Sequence, residues 1–218
     1  INFFCDKDYE LLFEDKNYYI DRKPGLVIRD SIKNSIFQGV NNLKAGDYGV
    51  LLYEIKGDRN TGKTKTLSYI RKQLSLNGVN IFASFDEDRP ILKYKSMLPV
   101  VSKILAERGY DIINKYEKVK AFLKSGSCEK DDYTSYSQIN TFIKTAIDSQ
   151  LTAIIIDDLK EIDIDSIEII KYLMYDKKLK EKLLIIYTSE DNIPLEKTES
   201  YMLNNLTIDE TTQLIKSI

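Results

Sequence analysis

The stretch Gly57-Asp58-Arg59-Asn60-Thr61-Gly62-Lys63-Thr64 satisfies the pattern G-x-x-x-x-G-K-[ST] at every specified position. It is flanked as that pattern requires. Before it, Val50-Leu51-Leu52-Tyr53-Glu54-Ile55 is a short apolar run that reads as a buried strand, and after it Leu67, Ile70 and Leu74 keep helical spacing up to Gly78. In such a loop the glycines let backbone N–H groups converge on phosphate oxygens, and the helix that follows aims its positive dipole end at the same anion. Lys63 is then placed to reach the β- and γ-phosphates and the Thr64 hydroxyl to ligate Mg²⁺. The nucleotide-binding segment is read as Gly57, Asp58, Arg59, Asn60, Thr61, Gly62, Lys63, Thr64 and Lys65. Asp58 and Arg59 fill variable positions, from which no role follows.

The rest of the chain alternates strand-like and helix-like segments. Ile28, Ile32, Ile36 and Val40 predict a helix, Val79 to Phe85 a strand, and Met97, Val101, Ile104 and Leu105 a helix. Ile112, Tyr116, Val119 and Leu123 read as one amphipathic segment ending at Ser125-Gly126-Ser127, and Ile139, Phe142, Ile143, Ala146 and Ile147 as another helix. Thr152 to Ile156 and Leu183 to Tyr187 are strand-length apolar runs separated by a helix bearing Ile167, Ile170 and Leu173. Strands that are apolar on both faces require cover on both faces, so the expected class is α/β: a three-layer fold with a mostly parallel sheet between helices. Residues 1–23 are expected to be a lead-in segment ending at Pro24-Gly25, and 24–218 the core.

A second acidic feature stands where ligands of open α/β sheets bind, at the C-terminal end of Ala153-Ile154-Ile155-Ile156. There Asp157 is expected to hold Mg²⁺ through water and Asp158 to orient or deprotonate the attacking water. Lys63 and Asp158 are thus the expected catalytic residues, with Thr64 and Asp157 the metal residues. Asp165, three residues before Glu168, has capping-box spacing for the next helix, although Asp163 could equally start it. Thr188-Ser189 ends the next strand where hydroxyls could sense the γ-phosphate. Thr207 and Glu210 repeat the capping-box spacing before a last helix at Asp209.

Composition removes several alternatives. The 218 residues contain no histidine, which excludes Ser-His-Asp and Cys-His catalysis and every histidine-containing metal site. Cys5 and Cys128 are too far apart in sequence for zinc-site spacing, and the chain reads as cytoplasmic. A net charge of -2 gives no global attraction to nucleic acid or to an anionic membrane, and no apolar run approaches the ~20 residues of a membrane helix. Asn114-Lys115-Tyr116-Glu117 precedes the acidic strand rather than following it, which argues against a GTPase. The opening Ile1 leads to the expectation of a domain from a longer chain.

With both motifs placed, the chain resembles the AAA+-related STAND regulatory ATPases. The resemblance is carried by Ile154-Ile155-Ile156-Asp157-Asp158-Leu159 with Asp163 and Ser166-Ile167 beyond it, and extends from Tyr19-Ile20-Asp21-Arg22 to Asn205-Leu206-Thr207-Ile208-Asp209-Glu210, covering residues 17 to 218. It implies a five-stranded sheet whose sensing strand lies between the two motif strands, ATP with Mg²⁺ as the ligand, Arg22 on the adenine side, and a helical lid of which only the beginning is present. It further implies effector or sensor modules in the same longer chain and a homo-oligomer as partners. Two departures stand out: Asp21 replaces the family's usual glycine before Arg22, and Thr188-Ser189-Glu190 supplies no arginine after the sensing strand. A DNA-associated AAA+ loader is the second reading, since Tyr116 to Lys120 and Tyr175 to Lys180 are basic with aromatics nearby; the third is a nucleotide-binding module with little turnover.

Overall fold

Burying an aliphatic side chain is favourable by ~1.5–3 kcal/mol, and the strands of this chain take that gain on both sides of a sheet. A computed structural model describes residues 30–46, 50–85, 95–128, 133–147 and 150–216. Its strands are β1 (Leu51–Gly57), β2 (Asn80–Ser84), β3 (Thr152–Ile156), β4 (Leu183–Ser189) and β5 (Glu199–Leu203), and they form one sheet in the order β2-β3-β4-β1-β5. All four pairings are parallel. Every residue of β3 and β4 is buried, as the uninterrupted apolar runs require.

Two helices cover one face, α1 (Asp30–Ala45) and α2 (Lys63–Leu76). Ile36 of α1 and Leu67, Ile70 and Leu74 of α2 pack there on Ile55, Ile155 and Ile186. The other face is covered by α3 (Met97–Arg108), α4 (Glu117–Ser125), α5 (Tyr133–Ile147) and α6 (Ile164–Tyr175), whose apolar sides meet Leu52, Ile154, Ile156 and Ile185. Alternate residues of β1 to β4 therefore serve opposite cores, and the three-layer parallel α/β expectation is met. So is the placement of β4 between the strands of the two motifs.

Two local readings are corrected. The single amphipathic segment expected over Ile112 to Leu123 is broken into a 3₁₀ turn, Tyr110–Lys115, and α4, with Tyr116 at φ -131° between them. A residue that extended cannot sit inside an α-helix. The cap of α6 is Asp163 rather than Asp165: its Oδ1 accepts from Ser166 N at 3.3 Å, and its Oδ2 accepts from Ser96 N, at the start of α3, at 2.7 Å. One buried carboxylate thus terminates two helices. Burial raises the Asp163 carboxyl above its ordinary value, more than the N–H groups of Ser96 and Ser166 lower it. Asp165 instead accepts from Lys95 at 2.8 Å and from the Tyr136 hydroxyl at 3.1 Å.

Residues from Asn205 onward belong to a second unit. Within it α7 (Ile208–Lys216) starts with the expected capping box: Thr207 N donates to Glu210 Oε2 at 2.7 Å, and Glu210 N to Thr207 Oγ1 at 3.2 Å. Among the described residues no helix is long and apolar enough to cross a membrane.

Candidate functional site

Gly57 ends β1, and Gly62 precedes α2; the two glycines act differently. A Cβ on Gly57 would lie 2.6 Å from the Leu203 carbonyl oxygen and 2.8 Å from Thr61 Oγ1, so the loop leaves the sheet only because β5 can approach a residue without a side chain. Gly62 has open space around it but sits at φ 91°, a torsion that favours glycine. Asn60 is also left-handed, at φ 65°. With glycine at its N-cap, α2 carries no side-chain cap, which leaves its first amides to be satisfied by solvent or an anion.

Lys63 lies 9% exposed at the start of α2. Its ammonium donates to the carbonyls of Gly57 at 2.7 Å and Asp58 at 2.8 Å, and pairs with Glu190 Oε1 at 3.3 Å. Thr61 Oγ1 donates back to Asp58 O at 2.8 Å, closing the loop on itself. Asp58, Arg59 and Asn60 form its exposed tip, and Lys65 projects from the solvent side of α2.

The second motif meets the loop side by side. Asp157 follows β3 on the α2 face and is 3% exposed. Its Oδ2 accepts from Thr64 Oγ1 at 2.8 Å, and its Oδ1 from Thr188 Oγ1 at 2.7 Å. The Thr188 hydroxyl in turn accepts from Asp158 N at 2.7 Å, while Leu159 N donates to the Thr188 carbonyl at 2.8 Å. Asp158 adopts φ 56°, within reach of an aspartate, and this torsion turns the chain out of the strand direction after β3. The phosphate loop, the acidic strand end and β4 are joined through one carboxylate and two threonines. Thr188→Val keeps the shape but removes a donor from Asp157 and the acceptor of Asp158 N; it should lower stability by ~1–3 kcal/mol, read from the denaturant midpoint.

Asp158 Oδ1 pairs with Lys160 Nζ at 2.7 Å, and Lys160 also lies 3.5 Å from Glu190 Oε2. Burial works against the charge of Lys160, yet Asp158, Glu190 and Asp191 outweigh it and hold the ammonium above the ordinary lysine value. Glu190 shows the mirror image: burial favours its neutral form, but Lys160, Lys63 and Arg59 keep its carboxyl below the usual carboxylate range.

Ser189 goes elsewhere. Neighbouring residues of a strand face opposite sides, so Ser189 turns to the far face, where it donates to Glu54 Oε1 at 2.7 Å; Ser200 donates to Glu54 Oε2 at 2.5 Å. Of the two expected sensing hydroxyls, the structure brings Thr188 to Asp157 and Ser189 to a buried glutamate. Arg22 lies outside the described residues. Glu190 and Lys160 were not among the expected site residues.

The fold is a three-layer α/β fold with a parallel five-stranded sheet between helices. Among solved structures the chain is similar to the ORC2 protein of Aeropyrum pernix, determined as ADPNP–ADP complexes, with a TM-score of 0.54 at 13% identity over 89% of this chain. The chain corresponds to 52% of that protein's length. No protein-family model matches it. No curated protein matches it either.

Proposed function

We propose that the chain is an ATP-binding regulatory domain: Mg·ATP stabilises one conformation, and hydrolysis releases it. The observation that carries this reading is the 2.8 Å bond from Thr64 Oγ1 to Asp157 Oδ2, which joins the residue after Lys63 to the acidic strand end. Support for ATP in particular comes from the resemblance of the second motif to the STAND ATPases and from the ORC2 fold neighbour, determined as ADPNP–ADP complexes.

The donors suit a hard divalent cation, being a hydroxyl and a carboxylate, both oxygen. Among the described residues no group of three His, Cys, Asp or Glu side chains forms an all-protein cage. Mg²⁺ bound chiefly through substrate phosphates needs no such cage. Thr64 and Asp157 would hold it, and when bound it neutralises charge on the phosphates. Lys63 binds the terminal phosphates, the α2 amides orient them, and Asp158 takes the proton of the attacking water. Effector or sensor modules in a longer cytoplasmic chain, and further copies of this one, are the partners this reading calls for.

Calorimetric titration with ATP tests it: binding is expected, weakening when Mg²⁺ is chelated, and a titration without heat for either adenine nucleotide ends the reading. A second reading, a DNA-associated initiator ATPase, is supported by the basic, aromatic-flanked runs Tyr116 to Lys120 and Tyr175 to Lys180. Duplex binding whose affinity falls steeply with salt would support that reading over the first.

A further inference from the structure

Glu190 belongs to no motif, and the ATP reading leaves it without a part. It follows β4 directly, and its carboxylate faces three cations from two segments, the phosphate loop and the loop after β3: Oε1 lies 3.3 Å from Lys63 Nζ, and Oε2 lies 3.6 Å from Arg59 Nε and 3.5 Å from Lys160 Nζ. The lysines are mostly shielded, with side chains 9% and 19% exposed, whereas Arg59 at 87% contributes little. A carboxylate held by the phosphate-loop lysine and two further cations shares the sign of charge and the neighbours of a nucleotide's terminal phosphate.

Building on the ATP reading, we infer that Glu190 is an internal stand-in for the γ-phosphate, which a triphosphate must displace from both Lys63 and Lys160 and a diphosphate from Lys63 alone. Lys160 becomes a second cation for the terminal phosphate, supplied by the chain itself where the sensing strand offers no arginine. Glu190 therefore sets the preference between ATP and ADP.

Displacement also has a route outward. Glu190 opens the connection from β4 to β5, whose Asn192 accepts from Lys56 of β1 and whose Asp191 Oδ2 accepts from Glu161 N at 3.3 Å. Moving Glu190 pulls on a segment tied to the strand before the phosphate loop and to the loop after β3.

The test is the dissociation constant of Mg·ADP and of a non-hydrolysable Mg·ATP analogue for the full chain, wild type against Glu190→Gln and Lys160→Met. Glu190→Gln is expected to tighten the analogue about tenfold, as two partly shielded ion pairs allow, and ADP, which displaces only one of them, by less than about threefold. Lys160→Met is expected to weaken the analogue more than ADP. An analogue-to-ADP ratio unchanged by Glu190→Gln overturns the inference and leaves the ATP reading standing. If the wild type binds neither nucleotide, that reading fails first and the inference with it.

Discussion

Lys63→Ala should weaken ATP binding by at least about 100-fold. Charge-assisted hydrogen bonds contribute ~1.5–3 kcal/mol each, and the ammonium of Lys63 is placed to make one with each of the two outer phosphates, so their joint loss corresponds to two or more powers of ten. The lysine is 9% exposed, which makes these bonds less screened than surface pairs. It also braces the loop from within, through the carbonyls of Gly57 and Asp58. The variant therefore loses both the cation and some order in the amides around it. A thermal melt separates a looser loop from a failed fold: α2 keeps Leu67, Ile70 and Leu74 in the core, so the midpoint should move by only a few degrees. Wild-type ATP affinity in a folded Lys63→Ala protein would refute the assignment of the loop.

What the sequence revealed follows how locally each feature is encoded. The central strands are legible because burial on both faces demands unbroken apolar runs, and Thr152 to Ile156 and Leu183 to Tyr187 provide them. Strand β5 is not legible that way. It is an edge strand, and of Glu199-Ser200-Tyr201-Met202-Leu203 only Leu203 is fully buried. Its presence followed only from the resemblance, although it supplies the carbonyl that makes Gly57 obligatory.

The site divides along the same line. Asp157 and Thr64 are announced by motifs, because each holds its place relative to a strand end. The split between Thr188 and Ser189 was also within reach, since alternation along β4 sends one to the α2 face and the other away from it. Asp163 and Asp165 could not be separated by spacing. The choice is made by Ser96, remote in sequence, whose amide shares the Asp163 carboxylate. Glu190 was hidden for a similar reason: Lys63 and Arg59 are distant in the chain and meet it only once β4 lies beside β1. A usable signal did exist, namely charged residues following strands that all end at one edge of a parallel sheet.

Asp158→Asn is expected to slow phosphate release by ~10²-fold or more while leaving ATP affinity within about threefold, since general-base catalysis contributes ~10²–10⁴. The substitution keeps an oxygen that can accept from Lys160 but removes the site that takes a proton. The carboxylate is suited to that task by exposure: its side chain is 35% accessible, against 3% for residue Asp157, so water can reach it without unpacking the strand end. It is held in place as well, by Lys160 at 2.7 Å and by an amide fixed to Thr188. Binding should change little, because most groups that grip phosphate belong to α2 and its loop, and the asparagine oxygen still accepts from Lys160, the further cation after β3. Single-turnover phosphate release, measured with the nucleotide saturating, isolates the chemical step from affinity. Equal rates in the two proteins would make the Asp158–Lys160 pair a strut for the loop after β3, and would favour a nucleotide-binding module over a switch reset by hydrolysis. A slow wild-type rate does not weaken the test, since it is the ratio between the two proteins that identifies the base.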